Sequence, residues 1–164
     1  MMLDQEPSLN IYATDVRESV LENFKERFRK AGIRNYRAEK IDVTNLPGNF
    51  ILPMNKSLDG IVADVPCSGS GTWARTPEWL QMFKESSLDE FQSLQRKIVS
   101  NLVRYLPKNK PLIYITCSVF KKENEENISF FTRNLHLIVE SNAYIRGFMQ
   151  GADTLFVACL VRSH

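Results

Sequence analysis

Apolar residues along the chain follow two spacings, a short strand-like run and a helical stripe, and the two alternate. Leu9 to Thr14 is a strand-type run that stops at Asp15. Val20, Leu21, Phe24, Phe28 and Ala31 then recur at helical spacing, and Gly32 supplies a stop. Tyr36 to Ile41 is a weaker strand ending at Asp42, and Leu46-Pro47-Gly48-Asn49 is a turn. Leu58 to Ala63 predicts a strand reaching Asp64, and Thr76-Pro77-Glu78 opens a short helix through Phe83. Ser87-Leu88-Asp89-Glu90 has the form of a capping box, followed by a stripe of Leu88, Phe91, Leu94, Ile98, Leu102 and Leu106. Leu112 to Thr116 is a strand, and the acidic stretch from Glu123 opens a helix through Leu135, where carboxylates suit the positive end of the helix dipole. Leu137-Ile138-Val139 and Leu155 to Val161 are the last strands, with a Gly-containing linker between them. Alternating strands and helices predict an α/β fold with a largely parallel sheet.

Composition narrows this to ordinary globular protein. The chain has 164 residues, enough for one domain with a real core, and 43% of them are hydrophobic. No run approaches the ~20 apolar residues of a membrane span, and the first residues lack a secretory pattern, so a cytoplasmic location is expected. Three cysteines without Cys-x-x-Cys spacing suit neither a disulfide framework nor a metal site. A net charge of +2 permits a nucleic-acid partner without requiring one. The basic residues from Lys25 to Lys40 are interleaved with Glu22, Glu26 and Glu39, the pattern of a solvated helix face.

Candidate chemistry lies at the strand ends. Asp15, Asp42 and Asp64 each close a strand. A single such acid is most simply a turn or cap residue, but three in series fit the crevice where an open α/β sheet binds a nucleoside cofactor. Two further strand-to-loop junctions carry thiols. Cys67 stands in Asp64-Val65-Pro66-Cys67-Ser68-Gly69-Ser70-Gly71-Thr72, and Cys117 stands in Tyr114-Ile115-Thr116-Cys117-Ser118. A thiolate at a loop is a strong nucleophile when its surroundings lower its pKa. Cys159, inside an apolar run, is read as a packing residue.

These blocks, together with Arg75, Pro77, Glu123-Asn124-Glu125 and the terminal Ala152 to Ala158, resemble the RsmB/NSUN-like RNA (cytosine-5)-methyltransferase family over nearly the whole chain. The resemblance implies a Rossmann-like class I methyltransferase sheet, mostly parallel with an antiparallel C-terminal strand, in a single catalytic-type domain over residues 1–164. It implies S-adenosyl-L-methionine as cofactor and rRNA or tRNA as partner, with no metal and no membrane. By resemblance Cys117 is the nucleophile that adds to cytosine carbon 6, and Cys67 is the second cysteine, which resolves the adduct. Asp64 would hold the cytosine edge, or its protonated ring nitrogen, and lie close to the cofactor, where a carboxylate favours the charge that develops. Asp15 matches the residue on the cofactor ribose and Asp42 the one near adenine. The base would have to leave its stack to reach such a pocket.

One departure stands out: nothing before Asp15 matches the family's Ala-x-Pro-Gly-Gly-Lys loop. Met1-Met2-Leu3-Asp4 looks like the end of the first family helix, so the chain reads as an N-terminally truncated fragment whose first strand, and any RNA-binding appendage, is missing. That strand would lie between those ending at Asp15 and Asp64, leaving two unpaired edges. Weak or no binding of S-adenosylmethionine by the chain is therefore expected, and calorimetric titration tests it. Three other readings compete. Gly69-Ser70-Gly71-Thr72-Trp73-Ala74 fits a dinucleotide pattern, although Arg75-Thr76-Pro77 interrupts the helix that should follow. Pro66-Cys67 alone resembles the nucleophile block of DNA cytosine methyltransferases. The chain could also be a non-catalytic remnant that binds RNA or a partner. A fourth, a thiol hydrolase, fits less well, with only His136 or His164 as base.

Overall fold

The computed structural model describes residues 6, 8–52 and 57–163. Met1 to Asp4 and His164 lie outside the described residues. The chain forms two compact units, one up to Leu46 and one from Pro47.

In the first unit, β1 (Ile11–Asp15) and β2 (Tyr36–Lys40) pair in parallel, Ile11 opposite Tyr36 and Asp15 opposite Lys40. Parallel neighbours need a crossover, and α1 (Glu18–Lys30) provides it. Its core stripe buries Leu21 and Phe28. The Phe24, Phe28 and Tyr36 rings cluster with centroids 4.0 to 5.4 Å apart. Gly32 follows the helix at φ 70°, the left-handed geometry that glycine adopts without steric cost.

The second unit is built on a four-stranded sheet in the order β3-β4-β6-β5. Its strands are β3 (Ile61–Asp64), β4 (Pro111–Thr116), β5 (Leu137–Ile145) and β6 (Leu155–Arg162). β3 and β4 are parallel, whereas β6 runs antiparallel to both β4 and β5, so β6 is the one reversed strand of this sheet. The connections include α2 (Glu78–Met82), α3 (Ser87–Val103) and α4 (Glu125–Asn134). Leu112, Tyr114 and Thr116 alternate along β4 as fully buried positions, and Phe156, Ala158 and Leu160 are buried along β6. Tyr114 meets Phe131 of α4 edge-on at 5.3 Å, which places the core between sheet and helices.

Three local expectations change. The capping box does not form: the Ser87 hydroxyl donates to the Lys84 carbonyl at 2.6 Å, because a preceding turn runs directly into α3. The core face of α3 is Leu88, Gln92, Gln95, Ile98, Val99 and Val103, so two glutamines replace Phe91 and Leu94 at the buried positions. β5 extends six residues beyond Val139 through a bulge between Val139 and Ser141, since backbone pairing with β6 continues to Ile145 opposite Leu155 despite the polar Glu140-Ser141-Asn142. Among the described residues no helix is long and apolar enough to cross a membrane.

Candidate active site

Parallel register brings the two cysteine loops together. Asp64 at the end of β3 lies opposite Ile115 of β4, so the chain leaves both strands at the same edge of the sheet. The Val65 amide still bonds to the Ile115 carbonyl at 3.2 Å before the loops depart. Cys67 and Cys117, 50 residues apart in sequence, then meet with their Sγ atoms 3.2 Å apart.

The two thiols have opposite electrostatics. A hydrogen bond donated by Cys67 stabilises a Cys117 thiolate and pushes the Cys117 thiol down, against burial and the Asp64 and Asp153 charges, which push it up. The same bond, with burial and the Glu123 charge, pushes Cys67 far up. The bond thus favours negative charge on Cys117 and the proton on Cys67.

Two glycines shape the first loop. Gly69 has φ 70°, and Gly71 is buried where a Cβ would stand 2.1 Å from the Thr154 carbonyl oxygen. Gly71 donates its amide to the Cys117 carbonyl at 2.8 Å and accepts from the Thr154 amide at 3.0 Å. Arg75 adds a two-pronged ion pair to Asp153, at 2.8 and 2.6 Å. The glycine pattern thus serves loop packing. A single 3-10 turn, Ser70–Thr72, follows it in place of the helix that a dinucleotide site requires. Phe120 stacks on Phe83 at 5.3 Å and ties the Cys117 loop to the segment after α2.

The acids are placed differently. Asp64 is exposed at the end of β3, with its charge felt at Cys117. Asp15, at the end of β1, accepts from the Arg17 amide at 2.8 Å and from its guanidinium at 3.1 and 3.0 Å. Arg17 holds the Asp15 carboxyl below the usual carboxylate range. Asp42 caps the Val43–Asn45 turn, accepting from the Thr44 amide and hydroxyl at 2.9 and 2.6 Å and from Asn45 at 2.7 Å. His136 stands just before β5, at the edge of the sheet opposite the one from which Cys117 emerges, because Leu137 pairs with Arg162 and Thr116 with Phe156. It is therefore no base for either thiol.

Sequence reasoning missed Glu123 as a site residue. It precedes α4 and is fully buried, not part of an exposed acidic first turn. The signal that could have found it is a repeated Cys-Ser pair, Cys67-Ser68 and Cys117-Ser118, with an acid five residues after the second serine.

The reversed last strand between two parallel ones, with two cysteine loops meeting at the strand ends, is the arrangement of a Rossmann-like class I methyltransferase fold. Residues 2–150 match the model of the 16S rRNA methyltransferase RsmB/F family, and the chain belongs to that family. It is 30% identical over 132 residues to ribosomal RNA small subunit methyltransferase B of Shewanella oneidensis, covering 79% of this chain and 29% of that protein. The corresponding protein of an Enterobacter species is 28% identical over 146 residues, 88% of this chain and 32% of the relative. The chain thus spans about a third of the length of the curated relatives it matches. Among solved structures it is similar to PH0851, with a TM-score of 0.81 and 26% identity over 93% of this chain and 37% of that one. NSun6 from Pyrococcus horikoshii, solved with SFG, gives a TM-score of 0.80 at 20% identity, over 94% of this chain and 42% of that one.

Proposed function

We propose that this site methylates carbon 5 of cytosine in RNA, with S-adenosylmethionine as methyl donor and Cys117 as covalent nucleophile. The observation that carries this reading is the 3.2 Å contact between Cys67 and Cys117, in which one thiol is biased to thiolate and the other to thiol. A pyrimidine carbon 5 is too weak a nucleophile to be methylated directly, so a soft thiolate beside it has a clear use. The Cys117 sulfur adds to carbon 6 and the displaced double-bond electrons make carbon 5 nucleophilic. A proton at the ring nitrogen balances the charge, and the Asp64 carboxylate is the group to hold it. S-adenosylmethionine, when bound, supplies a methyl group on a positively charged sulfur. Once carbon 5 carries that methyl, its proton passes to solvent water, the electron pair left behind re-forms the carbon 5 to carbon 6 double bond as the carbon 6 to sulfur bond breaks, Cys117 is restored as thiolate and the ring nitrogen gives up its proton. Cys67 assists this resolution from its place beside Cys117.

Both of these acids, Asp15 and Asp42, are engaged locally. A carboxylate offers about four lone-pair sites, so the three Arg17 contacts leave Asp15 capacity for a ribose hydroxyl. Asp42 likewise accepts three bonds, all from Thr44 and Asn45 of the turn that it caps, so a contact with adenine would add to its role in the turn. The matched relatives are named for the small-subunit ribosomal RNA, which makes 16S rRNA the first substrate to try.

Mass spectrometry of the chain incubated with 5-azacytidine-containing RNA and a large excess of S-adenosylmethionine, which offsets the weak cofactor binding expected above, tests the reading. The unaltered chain and Cys67→Ala form the adduct, and Cys117→Ala does not. Adduct formation by Cys117→Ala together with its loss in Cys67→Ala would transfer the nucleophile to Cys67 and overturn the assignment.

A further inference from the structure

Glu123 has no part in the reaction just described, yet the structure spends an unusual number of hydrogen bonds on it. The residue is fully buried. One carboxylate oxygen, Oε1, accepts from the Ser68 amide at 2.8 Å and from the Gln95 side-chain amide at 3.0 Å. The other, Oε2, accepts from the Ser68 hydroxyl and from the Ser118 hydroxyl, each at 2.5 Å. Those serines are the residues immediately after Cys67 and Cys117. A single oxygen atom therefore ties down the neighbour of each cysteine.

From this geometry we infer that Glu123 is a positioning residue: by clamping Ser68 and Ser118 to one carboxylate, it holds the Cys67 and Cys117 sulfurs at hydrogen-bond distance. Charge-assisted bonds from two hydroxyls and a backbone amide are short and directional, so they fix loops that have no ladder of their own. The clamp is anchored in turn. Gln95 also donates to the Pro66 carbonyl at 2.8 Å, and the Tyr114 hydroxyl donates to the Glu123 carbonyl at 2.7 Å. The carboxylate acts on charge as well as on distance, because it helps keep Cys67 protonated and so keeps it a donor to Cys117. Other charges face the pair: Asp64 and Asp153 face Cys117. They stay in place when Glu123 is changed, so they do not mimic its effect. The meaning of this spacing for catalysis rests on the methylation reading above, whereas the spacing itself does not.

A buried acid that only stapled the loops would lower stability when removed and disturb both thiols alike. A positioning residue predicts opposite changes. Iodoacetamide labelling of the full chain, followed at each cysteine by peptide mass spectrometry from neutral to alkaline pH, separates the two. In Glu123→Gln, Cys117 is alkylated about tenfold more slowly at neutral pH, its profile moving to higher pH, while the Cys67 profile moves to lower pH. Ser68→Ala and Ser118→Ala each remove one donor and shift both profiles in the same senses by less; they carry the test if Glu123→Gln does not fold. Glu126→Gln, on the exposed side of α4, is the control and changes neither. Folded variants whose two profiles stay fixed, or move in the same direction, would overturn the inference. Capture of 5-azacytidine RNA by Cys67 in the unaltered chain would overturn the methylation roles instead, and the alkylation comparison would still read the clamp.

Discussion

The carbonyl oxygen of Thr154 lies 2.1 Å from the point where a side chain on Gly71 would begin, while the Thr154 amide donates to the Gly71 carbonyl at 3.0 Å. Backbone meets backbone here, and the Cys117 carbonyl stands 3.0 Å from the same point. A methyl group has nowhere to go without displacing the Cys67 loop, the Cys117 loop or the segment entering β6. Gly71→Ala is therefore expected to destabilise the second unit by about 1–3 kcal/mol, the usual cost of overpacking. Urea unfolding measures it, and a midpoint unchanged from that of the parent chain would show that the loops yield freely.

The thiol pair makes a prediction of its own, through the hydrogen bond that Cys67 donates. That bond is the largest influence lowering the Cys117 thiol, and burial and nearby carboxylates oppose it. Cys67→Ala removes it and leaves burial and the two carboxylates opposed only by a backbone hydrogen bond, so the Cys117 thiol rises. Its iodoacetamide labelling should need more alkaline pH and slow at neutral pH, since the thiolate is the species that reacts. Labelling as fast as in the parent chain would show that Cys67 is not the donor that matters.

Oxidation offers a structural reading of the same pair. A disulfide needs the sulfurs at about 2.05 Å, so the observed 3.2 Å requires a closing movement of only about 1 Å. Diamide accepts the two electrons and two protons that Cys67 and Cys117 release on joining. It is expected to link them quickly and to leave Cys159 unpaired, because Cys159 contacts Glu140 and no other thiol. Peptide mapping without reductant gives the answer, and a link through Cys159 would contradict this arrangement of the loops.

Much of this architecture is legible in the sequence because it rests on local signals. Short apolar runs ending at Asp15, Asp64 and Thr116 give the strands, and Gly32 gives the end of α1. The meeting of Cys67 and Cys117 follows from parallel strands with both loops at one edge, once the family blocks set the order. What escaped is what depends on tertiary contact. Glu123 reads as one more acid of a helix start, since nothing local reveals that two serines 50 residues apart converge on it. Gln92 and Gln95 read as the solvent face of α3, because a polar side chain is buried only when distant partners satisfy it. The length of β5 likewise comes from pairing with β6 and overrides the polar Glu140-Ser141-Asn142.

Gln95 puts that last kind of burial to the test. Its side chain is fully buried on α3 and is matched on every side. The amide nitrogen donates to Glu123 at 3.0 Å and to the Pro66 carbonyl at 2.8 Å, and the amide oxygen accepts from Asn127 at 2.7 Å, with the Tyr114 hydroxyl oxygen 3.2 Å away. Gln95→Leu keeps the volume and improves the apolar match, which on hydrophobic burial alone predicts a more stable protein. It also strips hydrogen bonds from Glu123, Pro66 and Asn127 at once, and the Glu123 and Asn127 side chains are fully buried with no solvent to replace them. Leaving a buried polar group unpaired costs about 1–3 kcal/mol, and Asn127 and Tyr114 each retain the Glu123 carbonyl as an alternative acceptor. The expected outcome is a net loss of about 1–3 kcal/mol in urea unfolding, with polar satisfaction outweighing burial. A gain in stability would mean that the glutamine is tolerated in the core for the geometry of the cysteine loops and not for the fold.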